Sequence, residues 1–288
     1  MNNDSSNQGS VPYPPPLDRL LRYGDPRPIK EKLNYLAIGV GPEHIPEVTR
    51  MATDDALNNA MGDSEEVWAP LRAWRALGSL RAQSAIQPLL GLFARIDEDE
   101  DDWVADDLPR AIGQIGAAAL PALSVLMADN SRGFGARQAA AISLKEIAFQ
   151  HPENRNQCMT ALTDQFSKTT EKASPTARPL NGAIISELLD LEAVEAAPQM
   201  KQAFAAGVVD ESVAGDWEDV QIELGLKEKR DTPARFNDFP RPGRMPQSPF
   251  FQTASFPDLR AINKARKKAR SEAKKAKRKR MLQRQRRK

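Results

Sequence analysis

The sequence predicts an all-α fold, an α-solenoid of about five stacked helix pairs, on three observations. First, residues 68–130 hold one helix-pair module written twice, WAPLRAWRALGSLRAQSAIQPLLGLFARI and then WVADDLPRAIGQIGAAALPALSVLMADN. Second, Arg75-Ala76-Leu77-Gly78 returns as Arg110-Ala111-Ile112-Gly113 after 35 residues, inside the period of about 30–47 residues typical of helical repeat arrays. Third, small residues recur where neighbouring helices would meet: Ala73, Ala76, Gly78, Ala111, Gly113, 116–119 and 139–141. Single pairs of this composition cannot bury their apolar faces, so each needs a neighbour.

In chain order, residues 1–16 are polar and then proline-rich (VPYPPP), which predicts a disordered, extended leader. Residues 17–61 read as an atypical capping repeat. A first helix would carry the stripe Ile29, Leu33, Leu36 and Ala37, and a second, after Gly39 and Gly41, would carry Ile45, Val48 and Met51. The two central copies follow. Residues 135–169 supply a third pair with Leu144 in the place of Leu77 and Ile112, broken at His151-Pro152-Glu153-Asn154. After the loop EKASPTARP, PLNGAIISELLDLEAVEAAPQMKQAFAAG gives a fourth, with Leu188 in that place. Pro46, Pro88, Pro121 and Pro198 stand near the starts of second helices, where a missing N–H and fixed φ are tolerated; we expect them on the inner row. VDESVAGDWEDVQIELG closes the array with two short helices around Gly215. The solenoid thus spans 17–227, followed by a Pro- and Phe-containing linker at 228–259 and a basic tail at 260–288.

Charge divides the chain. The tail has 16 Lys/Arg against Glu272, a net +15; the remainder, with 25 bases and 38 acids, is −13, and together they give the overall +2. Such asymmetry predicts a polyanionic partner. The tail residues Lys264, Arg266, Lys267, Lys268, Arg270, Lys274, Lys275, Lys277, Arg278, Lys279, Arg280, Arg284, Arg286, Arg287 and Lys288 are candidates for nucleic-acid contact, on RNA, the ribosome or DNA. They would neutralise phosphates in a salt-dependent way, and with no aromatic among them they would grip backbone rather than read bases. The competing readings are a solvated tail, one folded onto the chain's own acids, and an anionic membrane, which the missing apolar face disfavours.

Modules such as AWRALGSLRAQSAIQPLL and AIGQIGAAALPALSVLM resemble HEAT repeats, including the short kind of phycobilisome-lyase-like proteins. Taken with NGAIISELLDLEAVEAAP and GDWEDVQIELGL, the chain over about 17–227 is similar to an uncharacterised bacterial family of HEAT-repeat proteins. The resemblance implies an α-solenoid that contacts other proteins and no established catalytic activity. Some family members end in a cysteine-rich SEC-C zinc motif; this chain has no CxC or CxxC, so zinc binding is not carried over. The function it implies is a non-catalytic scaffold or adaptor; the alternative is a chaperone-like or lyase-like factor that holds a protein substrate for modification.

No P-loop, nucleophile elbow or dinucleotide fingerprint is present, and His44 and His151 belong to no paired ligand motif. No catalytic residue, cofactor or metal is expected. Cys158, the one cysteine, reads as a buried small hydrophobe, and together with the N-terminal composition it places the protein in the cytoplasm. The acidic run Asp97-Glu98-Asp99-Glu100-Asp101-Asp102, with Asp106 and Asp107, lacks the EF-hand Gly and Glu and reads as a solvated loop, or as a receiver for a basic partner or the tail. Arg72, Arg75 and Arg110, with Arg81, Arg132 and Arg137, could line one face as a partner surface; solvated arginines are the plainer reading.

Overall fold

A computed structural model describes residues 12–25, 33–60, 64–168 and 175–233; residues 1–11, most of the expected linker and the whole basic tail lie outside the described residues. Those described contain no strand. The helices are α1 Ile45–Ala52, α2 Asp55–Asn58, α3 Ala69–Ser79, α4 Ile86–Gly91, α5 Ala94–Glu98, α6 Asp102–Ile115 and α7 Leu120–Ala128, then α8 Phe134–Gln150, α9 Arg155–Lys168, α10 Ala177–Asp190, α11 Ala197–Ala205, α12 Glu211–Ala214 and α13 Trp217–Glu223. The fold is all-α. Helices α1, α3, α6, α8, α10 and α12 pack each on the next in one row, and α7, α9, α11 and α13 do so in a second.

The first row stacks where the repeat motif predicts. Leu77, Ile112, Leu144 and Leu188, the four equivalent residues, are all fully buried. The glycines that follow two of them are the points of closest approach: a Cβ at Gly78 would lie 2.8 Å from the Ala111 carbonyl on α6, and one at Gly113 would lie 2.6 Å from Glu146 Cβ on α8. In the third copy the equivalent residue is Lys145, which instead makes ion pairs to α10.

The corners between paired helices are also shared. After α3, Ala82 N–H donates to Leu77 O and Arg81 N–H to Gly78 O; after α10, Ala193 N–H donates to Leu188 O and Glu192 N–H to Leu189 O. These are Schellman caps, and their left-handed residues are Arg81 at φ 50° and Glu192 at φ 51° rather than glycine. Gly116, at φ 92°, turns the second copy. Each corner then runs through a 3-10 turn, at Gln83–Ala85, Ala117–Ala119, Pro152–Asn154 and Val194–Ala196. Pro121 and Pro198 occupy the second position of α7 and α11, and Pro88 the third of α4.

The N-terminal cap differs from expectation. Among the described residues, only the 3-10 turns Leu17–Arg19 and Leu36–Ile38 precede Pro42–His44. Leu36 is 64% exposed, whereas Tyr35 and Val40 are buried; Ile29 lies outside the described residues. The helix read as the second of a pair, α1, packs on α3 and so heads the first row. Part of the expected disordered leader is ordered: Tyr13 is buried, and its hydroxyl donates to Asp54 at 2.8 Å.

No single helix among the described residues is long and apolar enough to cross a membrane; α6 with α7 has the composition, but the pair bends by 110°.

Two opposite effects of glycine follow from this geometry. Gly78→Ala and Gly113→Ala should destabilise by about 1–3 kcal/mol through overpacking, although alanine is the better helix former by about 1 kcal/mol. Arg81→Gly and Glu192→Gly should stabilise by about 1 kcal/mol, the order of the left-handed penalty for a residue with a Cβ. Urea unfolding of the four variants checks both signs.

Candidate partner-binding surface

The arginines that composition places on one face are divided by the structure among different tasks. Arg72, on α3, is 2% exposed. Its Nη2 donates to the carbonyls of Tyr23 at 2.8 Å and Gly24 at 2.9 Å, and the guanidinium lies 5.3 Å from the Tyr23 ring centroid. Burial holds its pKa below the ordinary arginine value. Arg72 therefore anchors the N-terminal segment and belongs to no partner face, which corrects that expectation. Arg75 is bidentate to Asp107 on α6, with Nε–Oδ1 at 3.1 Å and Nη2–Oδ2 at 2.8 Å. Arg137 is buried, Arg132 pairs with Asp129 at 3.5 Å, and Arg110 is exposed.

The acidic run is largely exposed, as expected, but two of its carboxylates also cap helices. Asp97 Oδ1 accepts from Gly135 N–H at 2.8 Å and Oδ2 from Ala136 N–H at 2.9 Å. One carboxylate at the end of α5 thus caps the start of α8, whose own N-cap residue, Gly133, has no side chain to do so. Asp101 caps α6 through the N–H groups of Trp103 and Val104 and, with Asp99, holds Arg95. Glu98, Glu100, Asp102 and Asp106 are the exposed remainder.

Further along, Lys145 on α8 meets Glu187 at 2.5 Å and Asp190 at 2.9 Å on α10. Burial opposes the Lys145 ammonium, but the two carboxylates outweigh it and raise its pKa; burial raises the Glu187 carboxyl, only partly countered by Lys145. Arg75–Asp107 and Lys145–Glu187 are therefore cross-helix staples along the first row. Gln150 Nε2 adds a weaker one, donating to the Arg110 carbonyl at 3.3 Å.

The second row presents a different face. Pro121 and Val125 on α7, Gln157 and Thr160 on α9, and Pro198 and Gln202 on α11 are exposed. Val125, 71% exposed, is the most exposed of the large apolar side chains among the described residues. Helices α7, α9 and α11 touch in sequence, and their exposed residues form a mostly uncharged strip in which Asp164, Lys168 and Lys201 are the charged ones. Low charge density marks the centres of protein interfaces, so this strip, rather than the arginines, is the candidate partner surface.

Among the described residues, no cluster of His, Cys, Asp or Glu is arranged to hold a metal ion. Cys158 is fully buried and its thiol is pushed up to about 11 by that burial, which keeps it from acting as a thiolate near neutrality. His44 Nδ1 accepts from Gly41 N–H at 3.1 Å at the start of α1, and His151 Nε2 lies 3.3 Å from the Gln114 carbonyl. Trp68 and Trp103 pack edge to face at 5.1 Å, and Trp74 Nε1 donates to the Ala52 carbonyl at 3.2 Å. Comparison with protein-family models, curated proteins and solved structures finds no match.

The chain continues past α13 as a strap at 226–233, beyond the expected solenoid end. Arg230 pairs with Asp216, at 2.5 Å, and with Asp219; Lys227 pairs with Glu218 and, at 2.7 Å, with Asp231. A shallow recess beside it is lined by Lys201, Phe204, Glu211, Trp217, Thr232 and Pro233. Hydrogen bonds from Lys227, and then from Thr232 and Asp231, hold the Glu218 carboxyl at about 2 against its ordinary 4.5. A depressed carboxylate favours the bound strap above its unfolded value and loses that contribution as pH falls through the folded one. Proteolysis after Lys227 and Arg230 should therefore be slow at pH 6 and accelerate as pH falls from 4.5 toward 2, and in Glu218→Gln it should already be faster at pH 6; an acid-active protease with basic-site cleavage read by mass spectrometry checks this.

Proposed function

We propose that the chain is a non-catalytic scaffold of HEAT-repeat type in the cytoplasm. Its helical body engages a protein partner through the exposed strip of α7, α9 and α11, and its basic tail contacts the backbone of a nucleic acid. The observation that carries the reading is the division of charge along the sequence. One part is a body whose charges are largely committed to joining helix to helix. The other is a tail with 16 Lys/Arg and one acid. A body of net −13 gains no affinity for RNA or DNA from its overall charge, so the polyanion contact falls to 260–288, including Lys264, Arg270, Lys277, Arg280 and Lys288.

The two contacts answer to different experiments. Full-length protein should bind single-stranded RNA without base preference, log affinity falling linearly against log salt with a slope of about −0.7 per phosphate neutralised. Deleting 260–288 should abolish that binding, and retention of salt-insensitive RNA association by the truncated chain would remove the tail from the reading. Val125→Lys changes an exposed side chain and should move stability by less than about 0.5 kcal/mol. In nuclease-treated extract it should nonetheless lose the protein partner that the wild type captures, as identified by mass spectrometry.

A further inference from the structure

Arg137 is one of the largest fully buried side chains in the protein. Its Nε donates to the Met127 carbonyl, in the last turn of α7, at 2.8 Å, and its Nη1 donates to Thr176 Oγ1, just before α10, at 3.3 Å. Nη2 is buried with no hydrogen-bond partner. The carbonyl end of α7 offsets part of the charge through the helix dipole. Among the described residues, the one carboxylate whose charge acts on it is Asp129, which is already held by Ser131 N–H and Oγ and by Arg132. A buried guanidinium with an unmet donor and no paired carboxylate is costly unless something else completes it.

The helix start that Arg137 meets through Thr176 is itself positive. Helix α10 has 14 residues, no acid in its first turn and no side-chain cap hydrogen bond at its start. Helical geometry leaves the first-turn N–H groups without intrahelical acceptors; here they are those of Ala177 and Arg178, since Pro179 has none. Arg178 places a second guanidinium on this turn, its Nη2 donating to the Val209 carbonyl at 3.2 Å. The corresponding need at α8 is met by the Asp97 carboxylate on two N–H groups.

We infer that Arg137 and the first turn of α10 form a binding site for a phosphate group, carried either by free inorganic phosphate or by a phosphomonoester. The guanidinium supplies Nη2 from one side and the helix supplies Ala177 N–H and Arg178 N–H from another. Donors converging from two directions suit a tetrahedral oxyanion better than a planar one, and the helix dipole adds to the attraction. The approach is beside exposed Pro175 and half-buried Thr176. The site's residues, Arg137, Ala177 and Arg178, are not those of the strip on α7, α9 and α11.

The test uses the full chain, ¹⁵N-labelled, titrated at constant ionic strength with inorganic phosphate and in parallel with O-phosphothreonine. The Ala177 and Arg178 amide signals should shift along a saturable curve, while tail signals drift without saturation. Saturation by phosphate alone identifies the free ion as ligand, and saturation by both identifies the phosphomonoester group. Arg137→Lys keeps the charge but loses the fork and should weaken saturation by about tenfold, equivalent to about 1.4 kcal/mol. The wild-type titration stands even where this variant folds poorly. Amides at 177 and 178 that stay still at 20 mM ligand, on the order of a weak millimolar site, would overturn the inference, as would an identical curve in a folded Arg137→Lys.

Discussion

The close approach of α3, α6 and α8 is the constraint on which the body depends. An isolated helix pair here buries too little to fold, and the apolar residues that would expose it, Leu77, Ile112 and Leu144, are fully covered only because the next helix comes near. That nearness is set by the absence of a side chain at Gly78 and Gly113. A glycine inside a helix costs about 1 kcal/mol relative to alanine. Its presence at the same place in two successive copies makes sense only if stacking returns more than that. Where the third copy carries Lys145 instead, the join changes kind: a half-buried ion pair to Glu187 and Asp190 replaces backbone contact. One seam is thus built in two ways along a single row.

Polar groups then determine how the stacked units are registered. Arg72 ties α3 to the carbonyls of Tyr23 and Gly24, Arg75 ties α3 to α6, and Asp97 ties the end of α5 to the start of α8. Each of these joins elements far apart in sequence, and each is directional where apolar packing is not. Taking one partner away leaves the other charge or N–H group in a poorly solvated place, so such bonds specify the arrangement more than they add to its stability. Commitment of these charges inward is also what leaves the second row comparatively uncharged. Pro121, Val125, Thr160 and Gln202 face outward with few ionic neighbours because the ions are used between helices.

Much of this was legible in the sequence, and the limits have physical causes. Repeat boundaries, the corner residues and the core positions follow from helical periodicity and from small residues, both local properties. The closing helices around Gly215 were legible for the same reason, since Asp210 and Asp216 are each followed by a short amphipathic run, and both act as caps. The N-terminal cap was not. Its stripe of Leu33, Leu36 and Ala37 matches a helix, but Tyr35 and Val40 provide the buried contacts and Leu36 faces out. The acidic run is exposed as its charge density suggests, but the capping by Asp97 and Asp101 was not legible, because a carboxylate at a helix start is as well satisfied by N–H groups as by water. Gly133 and Gly135, opening a helix without a capping side chain of its own, are the trace in the sequence that a cap must come from elsewhere.

Arginine burial shows where reasoning from residue type alone fails. Arg72, Arg75, Arg110 and Arg137 are chemically identical, yet one reaches carbonyls through the core, one forks onto a carboxylate, one is exposed and one is sealed between α7 and α10. What separates them is the neighbour each meets. Tyr23 and Gly24 present carbonyls to Arg72 because the chain before α1 crosses the start of α3; Asp107 reaches Arg75 because α6 lies one close helix diameter away. The end of α7 and the residue before α10 both meet Arg137, and the Met127 carbonyl with the Thr176 hydroxyl leaves its Nη2 unmatched. The same stacking that hides the apolar residues thus brings helix ends of unlike polarity together at the corners, and it is there that a buried charge can be left over.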